Sequence, residues 1–301
     1  TGGARTVIAE VDYSSAPETI YPGAIYMLQS APYQVERLDW EGRKAFVTRT
    51  RADYYTDAID YTRLKILDTD SEKAEKGTDL FFEKNKSVPF SAVPFSAAFS
   101  GEVHLVRRIA GYKKIRYYTH ENIGYGNIDL PDQEMHTTAV WWQVNPGALD
   151  TTFDSRQQAL DGFLGAGYAM HIVAAMRMLS EPRDIGRAVG DGNAEWFATV
   201  GANGRGQLLN KQGEAVDPMT LPRFTPTLFL YDNYPGGIGI SAPLYENRDA
   251  IVADARALVS DCECAYGCPA CIGPILASDE VRGYSPKEVA LRVLDLLPDR
   301  A

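Results

Sequence analysis

Several absences narrow this chain of 301 residues before any motif is read. Positive charge is short: 30 lysines and arginines face 40 acids, for a formal net charge of −10. That argues against whole-surface attraction to nucleic acid, so any such contact must come from a local basic strip. No apolar run approaches the ~18 residues of a membrane span. The N-terminus shows no basic–apolar–small signal pattern. The expectation is a soluble, cytoplasmic chain with no membrane partner. It begins at Thr1 rather than Met, which reads as a fragment or processed product. A phosphate loop of the form G-x-x-x-x-G-K-[ST] is missing, as is a G-x-S-x-G elbow. The four histidines, His104, His120, His136 and His171, are scattered and form no H-E-x-x-H pair. No catalytic constellation is therefore expected, and this fragment by itself is expected to be no enzyme. With 45% hydrophobic and 23% charged residues, the composition excludes a disordered, collagen-like or coiled-coil chain.

Cysteine is absent everywhere except in one place. Cys262, Cys264, Cys268 and Cys271 fall within ten residues, spaced C-x-C-x3-C-x2-C. A disulfide framework spreads its cysteines to staple distant parts of a chain, and four thiols on one loop staple nothing. They can instead converge on a common centre, as a tetrahedral metal requires. Gly267 frees the backbone for a tight turn and Pro269 stiffens the second knuckle. Four thiolates make a closed structural site, so Zn2+ is the expected cofactor. An iron–sulfur cluster takes the same ligand set. Cys268-Pro269-Ala270-Cys271 alone has redox C-x-x-C spacing, though such a pair usually opens a helix without further cysteines beside it.

The pattern of elements predicts an α+β fold: a small β-barrel-like N-terminal part, then a mixed α/β domain holding the metal site. Residues 1–68 read as short strands, at Val7–Val11, Ala24–Leu28, Tyr33–Leu38 and Ala45–Val47, with turn signals at Pro22-Gly23, Ala31-Pro32 and Glu41-Gly42. Residues 69–96 read as a charged loop or linker. Within 97–301, strands are expected at Glu102–Arg108 and Lys113–Tyr118, flanking a hairpin near Gly111-Tyr112. Further strands are expected at Thr137–Val144, Glu195–Val200 and Thr227–Tyr231. The apolar period over Ser155–Leu179 predicts a helix that Gly162, Gly165 and Gly167 weaken. Another helix is expected over Pro243–Val259 with Ser241 as cap, leading straight into the cysteines. A last one opens at Ser285-Pro286-Lys287-Glu288, a capping box with proline in its first turn.

One basic strip stands out. Arg107, Arg108, Lys113, Lys114 and Arg116 lie between Val103 and His120 with no acid among them, and Tyr112, Tyr117 and Tyr118 are interleaved. Cations hold phosphates and aromatic faces stack bases, which makes Arg107, Arg108, Lys113, Lys114, Arg116, Tyr112 and Tyr117 the candidate DNA contacts. A solvated hairpin face is the plainer reading. Arg49 and Arg51 share a strand face that would extend the strip. Trp141 and Trp142 alternate across a strand, one in the core and one free to stack. Asp232 beside Gly236-Gly237 caps local amides, and His171 on an apolar helix is a satisfied core histidine.

Taken together, these stretches carry a resemblance. Tyr231-Asp232-Asn233-Tyr234-Pro235-Gly236-Gly237-Ile238-Gly239, then a helix, then the cysteine block, resembles the C-terminal zinc-binding region of MrfA-type helicases, which are superfamily II DNA repair helicases. Tyr21–Tyr26 with Tyr33–Asp39 resembles the family's post-helicase barrel, and Ser180–Gly186 its helix-terminating motif. The resemblance implies zinc held by Cys262, Cys264, Cys268 and Cys271. It also implies binding of single-stranded DNA, and RecA-like motor domains on the same polypeptide translocating with 3′-to-5′ polarity. The parent protein would then be an ATP-dependent DNA helicase. The alternative is a protein-interaction scaffold in a DNA-repair or phage-defence complex, with a nuclease as a possible partner. A third reading is thiol–disulfide exchange.

Overall fold

The computed structural model describes residues 6–70, 96–119, 121–201, 204–273 and 283–298. Most of the expected charged linker, residues 71–95, lies outside the described residues, as does His120. The fold class is α+β, with a barrel-like β part followed by a mixed α/β part that carries the four cysteines. The chain divides into two compact units: Thr1–Tyr61 with Arg107–Gln133, and Thr62–Val106 with Glu134–Ala301.

The first unit opens with a short helix, α1 (Ala16–Thr19), and three antiparallel strands in the order β1 (Ile25–Leu28), β2 (Ala31–Asp39), β3 (Lys44–Arg49). The β1–β2 turn is Gln29-Ser30, both left-handed at φ 48° and 65°, the two-residue turn whose twist suits a hairpin. It precedes the expected Ala31-Pro32 turn, and Pro32 instead pairs with Met27 inside the ladder. A bulge between Val35 and Arg37 bends β2. Val7–Val11 forms no strand: among the described residues none pairs with it, and Val7 is 82% exposed. The unit also holds the start of β4 (Tyr54–Ile66), the end of β5 (Ala97–Arg116), and β6 (Asn122–Asn127), which pairs with β5. The hairpin expected at Gly111-Tyr112 does not exist. β5 runs unbroken for 20 residues, because Gly111 sits opposite Asn127 in the ladder rather than in a turn. Tyr112 instead closes a small core with Tyr21, Ala24 and Val35. Its ring lies over Gly23 and Gly126, where any Cβ would overlap it.

In the second unit the remaining elements are β7 (Gln133–Gln143), α2 (Pro146–Thr152), α3 (Arg156–Met178), β8 (Ile185–Gly190), β9 (Trp196–Val200), β10 (Gly206–Asn210), β11 (Ala215–Val216), β12 (Thr227–Asp232), α4 (Ser241–Glu246), α5 (Arg248–Ser260) and α6 (Pro286–Leu296). Sheet order is β11-β10-β9-β8-β12-β7-β5-β4. All six residues of β12 are buried, as a central strand covered on both faces requires. Its alternation feeds two clusters: Leu228 and Leu230 join Trp142 and the helices, while Phe229 and Tyr231 join Trp141, Val103 and Leu105. Both tryptophans are thus core residues, and neither is free to stack.

Ser155 caps α3 by accepting from the Gln158 amide, and Leu179 ends it in a left-handed conformation. This helix is long and apolar enough to cross a membrane by composition, but 78% of its apolar window is buried inside the unit, the mark of a core helix. Its glycines do not interrupt it. They admit close neighbours: a Cβ at Gly162 would strike the Val289 carbonyl of α6, and one at Gly165 would press on Ala290 and Ile272. The single helix expected over Pro243–Val259 is two helices, α4 and α5, separated at Asn247, whose side-chain amide donates to Pro243 O at 2.9 Å. Ser241 lies inside α4 rather than capping it. At α6, Ser285 accepts from the Glu288 amide and Pro286 occupies the first turn, as the capping pattern requires.

Candidate metal centre

Helix α5 ends at Ser260 and hands the chain directly to the cysteines. All four are free thiols, and their sulfurs lie within 4.8 Å of one another. The separations are 3.5 Å for Cys262–Cys268, 3.6 Å for Cys264–Cys271 and 3.7 Å for Cys268–Cys271. A tetrahedral ion with metal–sulfur bonds of ~2.3 Å sets its sulfurs about 3.8 Å apart, so the donor set is shaped for one zinc ion. Convergence of four thiols, rather than two, is the arrangement of a metal site and not of a C-x-x-C redox pair.

Local structure explains the convergence. The amides of Cys271 and Ile272 both donate to Cys268 O at 3.1 Å, closing the second knuckle as a tight turn. Gly267 has φ +113° and packs under Ile272, whose side chain any Cβ there would overlap. The Cys268 amide donates to Cys271 Sγ at 3.3 Å. Burial pushes the Cys271 thiol up to about 12. Burial also works on Cys268, but hydrogen bonds from Ala270, Cys262 and Cys271 outweigh it and hold that thiol down at about 7. A cation is what lets the remaining thiols ionise together. Lys287 at the start of α6 is a residue the sequence reading missed. Its ammonium donates to Cys262 O at 2.5 Å and to Cys264 O at 3.1 Å, tying the first knuckle to the last helix. The Ser285-Pro286-Lys287 helix start was visible in the sequence, but nothing there said what it would touch.

Residues 166–272, which include every one of these cysteines, match the family described as MrfA Zn-binding domain. That stretch, which is only part of the chain, is similar to the MrfA Zn-binding domain family. The four-cysteine cluster within it fits structural zinc. The chain is 30% identical over 289 residues to the ATP-dependent helicase YprA of Bacillus subtilis, spanning 96% of this chain and 32% of that protein. It is 24% identical to the ATP-dependent helicase HRQ1 of Saccharomyces cerevisiae, spanning 90% of this chain and 22% of that one. Two crystal structures of the DUF1998 helicase MrfA are also similar. One is bound to DNA, with TM-score 0.51, 29% identity, and coverage of 95% of this chain and 31% of that one. The other has TM-score 0.52, 25% identity, and coverage of 96% and 32%. The chain therefore spans about a third or less of the relatives it matches.

Elsewhere in the second unit, beyond the four-cysteine cluster, Asp232 is fully buried. Its carboxylate accepts from the amides of Ile238 at 2.5 Å, Gly239 at 3.1 Å and Tyr234 at 3.3 Å. That shapes the glycine turn and explains why the turn presents no free amide cradle. His171 is likewise a core residue. Its Nε2 faces the carbonyls of Pro182 at 2.8 Å and Ile185 at 2.7 Å, and Arg187 faces Nδ1 at 3.4 Å. Two carbonyls require Nε2–H, and the guanidinium requires a lone pair on Nδ1, so the neutral ring is the one that fits. His104 and His136, far apart in sequence, sit on β5 and β7 with ring centroids 5.1 Å apart.

In the first unit, the strip separates into two sets. Arg107 is buried, its Nη1 2.9 Å from Glu18. Arg108 grips Asp132 with two bonds, at 2.7 and 2.9 Å. Tyr112 lies in the core described above. Arg116 is exposed, Lys113, Lys114 and Tyr117 are half-buried, and the Lys114 ammonium lies 5.6 Å from the Tyr54 ring centroid. β3 ends at Arg49, so Arg51 does not share a strand face with it.

Proposed function

We propose that this chain is the zinc-binding, DNA-binding accessory module of an ATP-dependent superfamily II DNA repair helicase. The observation that carries the reading is the convergence of four sulfurs within 4.8 Å inside the segment matching the MrfA Zn-binding domain. In this reading Cys262, Cys264, Cys268 and Cys271 are the zinc ligands. The ion has a closed shell and does no chemistry. It makes rigid a loop too short to build its own core. ATP hydrolysis belongs to RecA-like motor domains on the same polypeptide. The module guides single-stranded DNA as the motor translocates with 3′-to-5′ polarity. Similarity to a helicase crystallised with DNA supports the DNA contact. Within the strip, this reading assigns the contact to Lys113, Lys114, Arg116 and Tyr117, which are exposed or half-buried, and sets aside Arg107, Arg108 and Tyr112, which are tied up in two ion pairs and a core.

The test uses the purified chain. Elemental analysis should find one zinc per chain, and fluorescence anisotropy should find single-stranded DNA binding that weakens with salt. Replacing Lys113, Lys114 and Arg116 together by glutamine should lower the salt slope by roughly two, the value for three lost phosphate contacts on a single strand. A chain without metal, or one that binds no DNA at low salt, overturns the reading.

A further inference from the structure

We propose that Tyr55, near the start of β4, and Tyr117 and Tyr118, in the turn just past β5, form a stacking platform for unpaired nucleobases. This rests on the DNA-binding reading above and specifies where bases, as opposed to phosphates, are held. Tyr118 is the observation that calls for an explanation. It is 98% exposed, so its ring buries almost nothing within the fold. Its backbone is left-handed at φ 68°, a region that bulky residues rarely adopt and that small or polar residues fill more easily. An aromatic residue held in a disfavoured conformation and pointed into water contributes little to folding, and such outliers collect at ligand sites.

The surroundings fit an aromatic ligand. The ring centroids of Tyr55 and Tyr117 are 5.7 Å apart with planes tilted by 40°, and those of Tyr117 and Tyr118 are 6.5 Å apart with planes tilted by 58°, so the rings are neighbours that offer differently oriented faces. The cluster is anchored from beneath. The Tyr117 amide donates to Asp53 O at 3.1 Å, its hydroxyl donates to Met27 Sδ at 3.7 Å, and the Thr119 amide closes the turn onto Tyr117 O at 2.8 Å. Cations stand along the same strand, with Arg116 exposed and Lys114 over Tyr54. Aromatic faces with interleaved cations are the means by which proteins hold single strands without reading their sequence, and every base has a face to offer. A duplex keeps its bases stacked on one another, so it has none to give the platform.

The experiment compares single-stranded and duplex oligonucleotides of equal length on the full chain by anisotropy. Tyr118→Ala should weaken single-strand binding between about 5-fold and 150-fold, the range for loss of one stacked base. The salt slope should stay unchanged, because no charge is removed, and duplex binding should be unaltered. Tyr118→Phe should retain wild-type affinity. Tyr118→Gly relieves the left-handed backbone and keeps the fold, yet should lose as much affinity as the alanine variant. Wild-type affinity in Tyr118→Ala and in Tyr117→Ala/Tyr118→Ala overturns the platform while leaving DNA binding intact. So does a glycine variant that binds like wild type, since the ring would then be irrelevant. A wild-type chain that binds no DNA sinks the broader reading, and the two failures are thus distinct.

Discussion

The two units are stabilised by different means. In the first, a handful of residues around Tyr21, Val35 and Tyr112 make the core, and aromatic rings fill space left by glycines. Tyr26 packs against that core, while Tyr13, Tyr118 and Tyr125 are exposed. In the second, a continuous core runs from Trp142 through α3 to α5 and α6, and the cysteine loop is packed against it through Cys271 and Ile272. The contrast teaches that the metal is not compensating for a missing core. It anchors one loop to that continuous core, and Lys287 and the glycine-lined face of α3 fix where the loop sits.

Removing the metal tests that contrast most severely. Chelation, or Cys271→Ser, should lose a contribution on the order of 10 kcal/mol, as for other structural zinc sites. Hydrogen exchange should then rise across α5, the cysteine loop and α6 while β1–β3 stay protected. Equal loss of protection in both units would mean that the metal serves the whole chain. Acid should act in the same direction, because thiolates must be deprotonated to hold the ion.

A smaller effect tests the glycines on each side. Gly162→Ala in the second unit and Gly126→Ala in the first should each destabilise by roughly 1–3 kcal/mol through overpacking, against the Val289 carbonyl and the Tyr112 ring respectively. Thermal unfolding checks both. A stabilised Gly162→Ala variant would show that helix propensity, not close approach, governs α3.

The smallest effect is the titration of His171. Burial, reinforced by Arg187, lowers its pKa below the ordinary 6.5. The unfolded chain therefore takes up the proton at a higher pH than the folded one does. His171 thus has its full stabilising influence above 6.5, and stability falls as pH drops from there through the folded value. Urea unfolding of wild type and His171→Gln between pH 8 and pH 5, measured relative to each other to cancel metal loss, should show the slope only in wild type. A flat difference would mean that the ring is not held neutral.

Much of this was legible in the residues. The cysteine spacing, the Ser285 cap, and the strands at Thr137–Val144 and Thr227–Tyr231 carry local signals strong enough to stand alone, whereas Ser241, expected as a cap, lies inside α4. β4 was not legible, because its polar residues are interspersed with apolar ones and only pairing makes it a strand. The hairpin placed at Gly111 failed for a related reason. A glycine signals a turn in isolation, but in the folded chain it admits the close approach of Gly126 across the ladder. The basic strip failed to act as one unit because sequence shows charge and not its partner. Glu18 and Asp132, distant in the chain, reach Arg107 and Arg108.

Sequence alone determined the four-cysteine cluster and the Ser285 cap, since thiol spacing and first-turn hydrogen bonds depend on residues a few positions apart. Tertiary structure alone decided which cations and tyrosines face water, which glycines are contact points, and that Lys287 closes the cysteine loop. Each of those depends on pairing between segments tens of residues apart, and burial and partnership arise only when such segments meet.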